Sequence, residues 1–159
     1  MQHASEFVLM FATAVYEAEL AEVDRCVNYP MTVVASGVDL TVGDRVDLED
    51  AISLLRGGIR AAGVTHMDRS IISAVQTDET FAVVTLETQR YGAEDQDLGA
   101  HQSTFVLDAI GESWMVRSLT VTDAPDTATG MAAMRRDFVR RYRNADNVRW
   151  TLRGPRKTD

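Results

Sequence analysis

The chain has 159 residues, the length of one domain, and a core of that size buries about 70% of the surface the unfolded chain exposes, so neither a disulfide nor a metal staple is required. Hydrophobic residues make up 45% and charged residues 25%, which excludes an intrinsically disordered chain. Sixteen basic residues against 24 acidic ones leave a net charge of −8, which argues against nucleic acid as the partner, and the single Cys26 excludes an internal disulfide framework and a four-cysteine zinc site.

The longest apolar run, residues 7–15, is far short of the ~20 residues that a membrane-spanning helix needs. Ala12-Thr13-Ala14 mimics a signal-peptidase site, but the preceding MQHASE has no basic residue and the amphipathic pattern runs on into YEAELAEVD. The expectation is therefore mature cytoplasmic protein with no membrane contact. Phe7, Val8, Phe11, Val15 and Leu20 recur at helical spacing, predicting a helix over 4–19 with Ser5 as its N-cap. A second short helix is expected over 21–28, ending ahead of Tyr29-Pro30, because proline disfavours helix in the residue before it.

Residues 31–36 (MTVVAS) and 38–42 (VDLTV), split by Gly37, read as a strand hairpin. Asp47 is the expected N-cap of a helix whose apolar face carries Ala51, Ile52, Leu54, Leu55 and Ile59, and Gly63 is its natural terminator. From 64 to 122 the pattern is an antiparallel meander of four strands, over 64–77, 80–91, 100–109 and 113–122. In the second of these, Ala82, Val84, Leu86 and Thr88 share one face, and Phe81, Val83, Thr85 and Glu87 the other. Both faces are partly apolar, so one should pack on the helices and the other needs a second cover, which suggests a homodimer through the sheet. Arg117 falls opposite in parity to Trp114, Val116 and Ser118, which places it on the outer face.

Residues 124–130 form a linker, and a last helix is expected over 131–143, with Met131, Met134, Phe138 and Tyr142 on one side. From 131 onward nine basic residues face three acidic ones, a charge of +6, while residues 1–130 carry −14. This basic segment either docks on its own acidic body or serves as an arm for nucleic acid or an acidic partner; few aromatics and the acidic neighbour, which would repel phosphate, favour docking. The chain thus divides into a domain over 1–123 and a linker with basic C-terminal helix over 124–159.

The order helix, short helix, hairpin, helix, four long strands resembles the nuclear transport factor 2-like superfamily, also called the SnoaL-like or cystatin-like α+β cone. FVLMFATAVYEAEL running into AEVDRCVNY is similar to that superfamily's first helix, acidic turn and second helix ending in an aromatic. LTVGDRVDLEDAISLL looks like its strand-loop-helix, and GESWMVRSLTV like its closing glycine turn and tryptophan-bearing strand. The resemblance covers residues 4–123. It implies an α+β fold in which a curved antiparallel sheet wraps round the N-terminal helices and leaves a conical pocket open at one end, with the basic C-terminal helix as an addition.

Activities in the superfamily include isomerases, cyclases, dehydratases and epoxide hydrolases, and other members are accessory subunits or adaptors, so the fold does not decide the function. The resemblance implies a small apolar organic ligand, a homodimer, and cofactor-free acid/base chemistry where any reaction occurs; no metal spacing, phosphate loop or nucleophile elbow is present. Candidate catalytic residues are His101, Tyr16, Asp24 and His66, and candidate ligand-binding residues are Phe105, Trp114 and Asp123. Such chemistry needs a base of matched pKa and a donor aimed at a developing oxyanion. His101, alternating with Ser103, Phe105 and Leu107, fits the base, or is a solvated histidine at a strand mouth. Tyr16 fits the donor, or is a core aromatic with its hydroxyl at the rim. His66 has Asp68 two residues on to orient it, Asp24 either reaches the pocket or caps the second helix, and Asp123 either reaches the pocket mouth or begins the linker. The competing class is a non-enzymatic interaction module.

Overall fold

Among the described residues, three α-helices and six strands arise from the switches in apolar period. The computed structural model describes residues 1–35 and 38–123; the linker and the helix expected over 131–143 lie outside them. Helix α1 (Ala4–Tyr16) buries Phe7, Val8, Phe11 and Ala14, one stripe at three- and four-residue spacing. Its N-cap is His3, without a side-chain cap bond, so Ser5 lies inside the first turn instead of capping it. Helix α2 (Leu20–Arg25) is shorter than expected because the chain turns into strand β1 (Val27–Ala35) well ahead of Pro30. Along β1 the register against the last strand jumps between Val27 and Thr32, an interval containing Pro30, which has no N–H for the ladder.

Strand β2 (Val38–Val42) completes the hairpin, and helix α3 (Arg45–Ala61) follows. Asp44, not Asp47, is its N-cap: the Asp44 carboxylate accepts the Asp47 N–H at 3.0 Å, while the Asp47 carboxylate accepts the Gly43 N–H at 3.0 Å. Asp47 is thus the reciprocal partner of a capping pair and not the cap itself. Gly63 adopts φ +75° just beyond the helix, as its place as terminator requires.

Strands β3 (His66–Gln76), β4 (Phe81–Tyr91), β5 (Asp97–Ile110) and β6 (Ser113–Asp123) form the meander, with a short 3₁₀ turn at Ala93–Asp95 shortening the loop expected before β5. All six strands belong to one curved sheet ordered β2-β1-β6-β5-β4-β3. The hairpin joins it by pairing β1 parallel to β6, so the sheet is mixed where antiparallel pairing throughout was expected. Helices cover its inner face, and the result is an α+β cone.

Strand β6 contains a bulge. Leu107 pairs with Val116 and Val106 with Ser118, so Arg117 is the extra residue. Trp114 and Val116 point inward before the bulge, and Leu119 and Val121 after it. The even-numbered face expected to continue through Ser118 is therefore handed over to odd residues. Arg117 itself is exposed on the outer face, where it pairs with Asp108 and its guanidinium sits 5.7 Å from the centre of the Phe81 ring.

Candidate functional site

Register turns the inner face of the sheet into a graded surface. Ala82, Leu107 and Val116 stand side by side across β4, β5 and β6, followed by Val84, Phe105 and Leu119. Next come Ile71, Leu86, Ser103 and Val121, and then Arg69, Thr88, His101 and Asp123. Met67 and Arg90 follow one step further. The first rows pack solidly with Phe7, Val8 and Trp114, all at most 4% exposed. Toward the polar rows the helices and sheet diverge around a cavity of about 190 Å³. Its apolar wall includes Phe11 and Val15 from α1, Ile52 and Ile59 from α3, and Leu86, Phe105 and Leu119 from the sheet.

Polar groups gather at one end: Tyr16, Arg69, Thr88, Arg90, His101 and Ser103. Arg90 is 1% exposed, and its Nη2 donates to the Leu98 carbonyl at 3.1 Å. Arg69 lies with its guanidinium carbon 5.5 Å from the centre of the Tyr16 ring, in cation–π range, and burial pushes its pKa down. The Tyr16 hydroxyl makes a long 3.5 Å contact to the Thr65 carbonyl. His101 is held at a pKa of about 4, first by burial and then by the positive charges of Arg90 and Arg69. Its Nδ1 is buried without a hydrogen-bond partner among the described residues. At neutral pH it is an uncharged imidazole, able to accept a proton or share a hydrogen bond.

The structure brings His101, Tyr16 and Phe105 to this cavity and sets the backbone of Asp123 opposite His101 at the end of β6. The other three candidates lie elsewhere. Asp24 accepts the Tyr29 hydroxyl at 2.7 Å and lies 3.6 Å from Arg45, tying α2 to β1 and α3 instead of capping α2. His66 is exposed on the outer face, stacked on Tyr91 at 4.8 Å and 3.4 Å from Asp95 rather than oriented by Asp68. Trp114 is buried in the solid part of the core, its Nε1 donating to the Gln2 carbonyl at 3.0 Å.

Arg69 and Arg90 were not among the sequence candidates. For Arg90 the signal was present, since it continues the inward series Ala82, Val84, Leu86, Thr88 by one more alternation. Arg69 carried no such signal, because β3 lacks a clean alternation in hydrophobicity.

A cone of three helices on a six-stranded sheet, hollow at its polar end, is the architecture of nuclear transport factor 2-like proteins. The chain belongs to the family described as NTF2-like protein (DUF6841), whose model matches residues 2–124. No curated protein sequence matches it. Among solved structures it is similar to a ketosteroid isomerase-like protein from Erwinia carotovora atroseptica, with TM-score 0.55 and 17% identity over 74% of this chain and 92% of that one. It is also similar to a Mycobacterium tuberculosis protein of unknown function, with TM-score 0.60 and 12% identity over 86% of each chain. A Nostoc punctiforme protein of unknown function with a cystatin-like fold gives TM-score 0.59 and 10% identity over 77% of this chain and 90% of that one. These likenesses establish the fold alone. No helix among the described residues is long and apolar enough to cross a membrane.

Proposed function

We propose that the chain is a small-molecule-binding cone whose ligand is a largely apolar organic compound held in the cavity between helices and sheet. The observation that carries this reading is the cavity itself: about 190 Å³, walled by aliphatic and aromatic side chains, with its polar groups confined to one end. For scale, an engineered apolar cavity of about 150 Å³ takes up benzene. Any reaction there would be cofactor-free proton transfer, with neutral His101 as acceptor and the Tyr16 hydroxyl as donor to a developing oxyanion. These two are the first residues to replace in a search for turnover.

Full-length protein should be stabilised by one-ring aromatic compounds, by about 5 °C or more at a hundred times the dissociation constant. Leu119→Trp, which fills the cavity from β6, should remove that stabilisation while the protein stays folded by circular dichroism. If neither neutral nor charged one-ring compounds shift the transition at millimolar concentration, the reading fails.

The outer sheet face supports a homodimer as the second part of this reading. Val75, Val83 and Val106 stand directly beside one another across β3, β4 and β5, and Val75 is 57% exposed although β3 is the edge of the sheet. An apolar row at an unprotected edge favours self-association. Sedimentation should give a dimer at micromolar concentration and a monomer for Val83→Glu; a monomeric parent would refute it. An interaction module acting through this face would keep the dimer and bind nothing in the cavity.

A further inference from the structure

Two hydroxyls on the sheet wall of the cavity have no bond within the protein. Thr88 and Ser103 are 3% and 6% exposed, and both line the cavity. In the β4–β5 register Thr88 stands opposite His101 and Leu86 opposite Ser103, so Thr88 and Ser103 are diagonal neighbours on one face, about 7 Å apart. Among the described residues neither hydroxyl has a hydrogen-bond partner. On the outer face of the same two strands the equivalent need is met, because the Thr85 and Thr104 hydroxyls bond each other at 3.1 Å. The other polar groups at this end are neutral or engaged. His101 is an uncharged imidazole at neutral pH, Arg90 donates to the Leu98 carbonyl, and Arg69 lies over the Tyr16 ring, donates to the Met67 sulfur at 3.8 Å and has Glu17 as an opposing charge. A desolvated hydroxyl without a partner is costly, and it is satisfied by an atom that gives or takes a hydrogen bond.

We propose, resting on the reading of the cavity as a ligand site, that its ligand carries one uncharged hydroxyl, as an alkylphenol or a compact alcohol does, and that Thr88 and Ser103 anchor it on the β4–β5 wall. The ligand oxygen lies over the gap between the two side chains, about 2.8 Å from each hydroxyl oxygen, accepting from one and donating to the other. A carbonyl or ether oxygen only accepts, whereas this wall offers both roles, and a methyl group in the same place uses neither. The apolar body of the ligand then lies against Phe105 and Leu119, and a volume of about 190 Å³ limits it to one ring with short alkyl groups.

The test is amide chemical-shift titration of the full-length protein at neutral pH with two matched pairs, 4-methylphenol against p-xylene and cyclohexanol against cyclohexanone. Ser103→Ala should weaken 4-methylphenol by about threefold to tenfold, the effect of losing one neutral hydrogen bond, and leave p-xylene within about twofold. Thr88→Val, equal in shape, should do the same, and either variant carries the test if the other does not fold. In the parent, cyclohexanol should bind about threefold or more tighter than cyclohexanone, and the variants should narrow that gap. If 4-methylphenol binds the parent and both variants alike, the anchoring role is overturned and the apolar-cavity reading stands. A loss of equal size for p-xylene would show a change of cavity shape instead of a lost bond, and would overturn it as well. Cyclohexanone binding as tightly as cyclohexanol would overturn the choice of a hydroxyl. If none of the four compounds binds at millimolar concentration, this assignment and the reading beneath it fall together.

Discussion

Phe11→Ala is expected to destabilise the fold by about 3–5 kcal/mol, read as a lowered denaturation midpoint in urea with an unchanged slope. Phe11 is 2% exposed at the middle of α1, with the Phe7 ring 6.2 Å away on its own helix and the Phe105 ring 6.0 Å away edge-on across the sheet. Its removal strips apolar area from water-free surroundings and breaks two aromatic pairs, each worth about 0.5–1.5 kcal/mol beyond burial. The surroundings have little freedom to collapse into the gap, because the neighbouring space is already the cavity and the sheet behind it is hydrogen-bonded. The contrast is Met10→Ala on the same helix: Met10 is 44% exposed, and the change should cost less than about 0.5 kcal/mol. A loss below 1 kcal/mol at Phe11 would mean that α1 does not close the inner face of the sheet.

The second large effect concerns pH. In the unfolded chain His101 titrates near 6.5, while in the fold burial and the charges of Arg90 and Arg69 hold it at about 4. Between these values the unfolded state binds the proton and the folded state does not, so stability rises with pH across the window. His101 therefore contributes fully above pH 6.5, and its contribution is lost as the pH falls to 4, for a total of about 3 kcal/mol. Urea denaturation at pH 7, 5.5 and 4.5 should show the parent losing more stability than His101→Gln, with the difference accumulating between 6.5 and 4. The comparison of variant with parent cancels the carboxylates, which titrate in both. Parallel pH curves for the two proteins would show that His101 is solvated, and would remove it as a neutral base.

Much of the chain's architecture was legible in its residues because strands and helices impose their periods on hydrophobicity. The stripe Phe7, Val8, Phe11 defines α1, and the alternation Ala82, Val84, Leu86, Thr88 defines the inner face of β4. The same alternation, followed one step further, leads to Arg90. The order of elements sufficed for the resemblance to the nuclear transport factor 2-like cone, and the family match over residues 2–124 agrees with it.

Other features depended on partners distant in sequence. Both Asp44 and Asp47 suit an N-cap, and only the turn entering α3 decided between them. The parity of β6 changes at Arg117 because two of its residues oppose one bond on β5, a choice made by the pairing rather than by either strand alone. That bulge turns Leu119 and Val121 into the cavity.

Composition and period by themselves determined the helices, the meander and the inner face of β4, since those follow from neighbours within a few residues. Only tertiary structure decided that Arg69, Thr88 and His101, drawn from three strands, form one row, and that the space before them is hollow. The physical reason is that register and packing volume are properties of pairs of elements: no single segment specifies which residue stands beside it or whether the gap between them is filled.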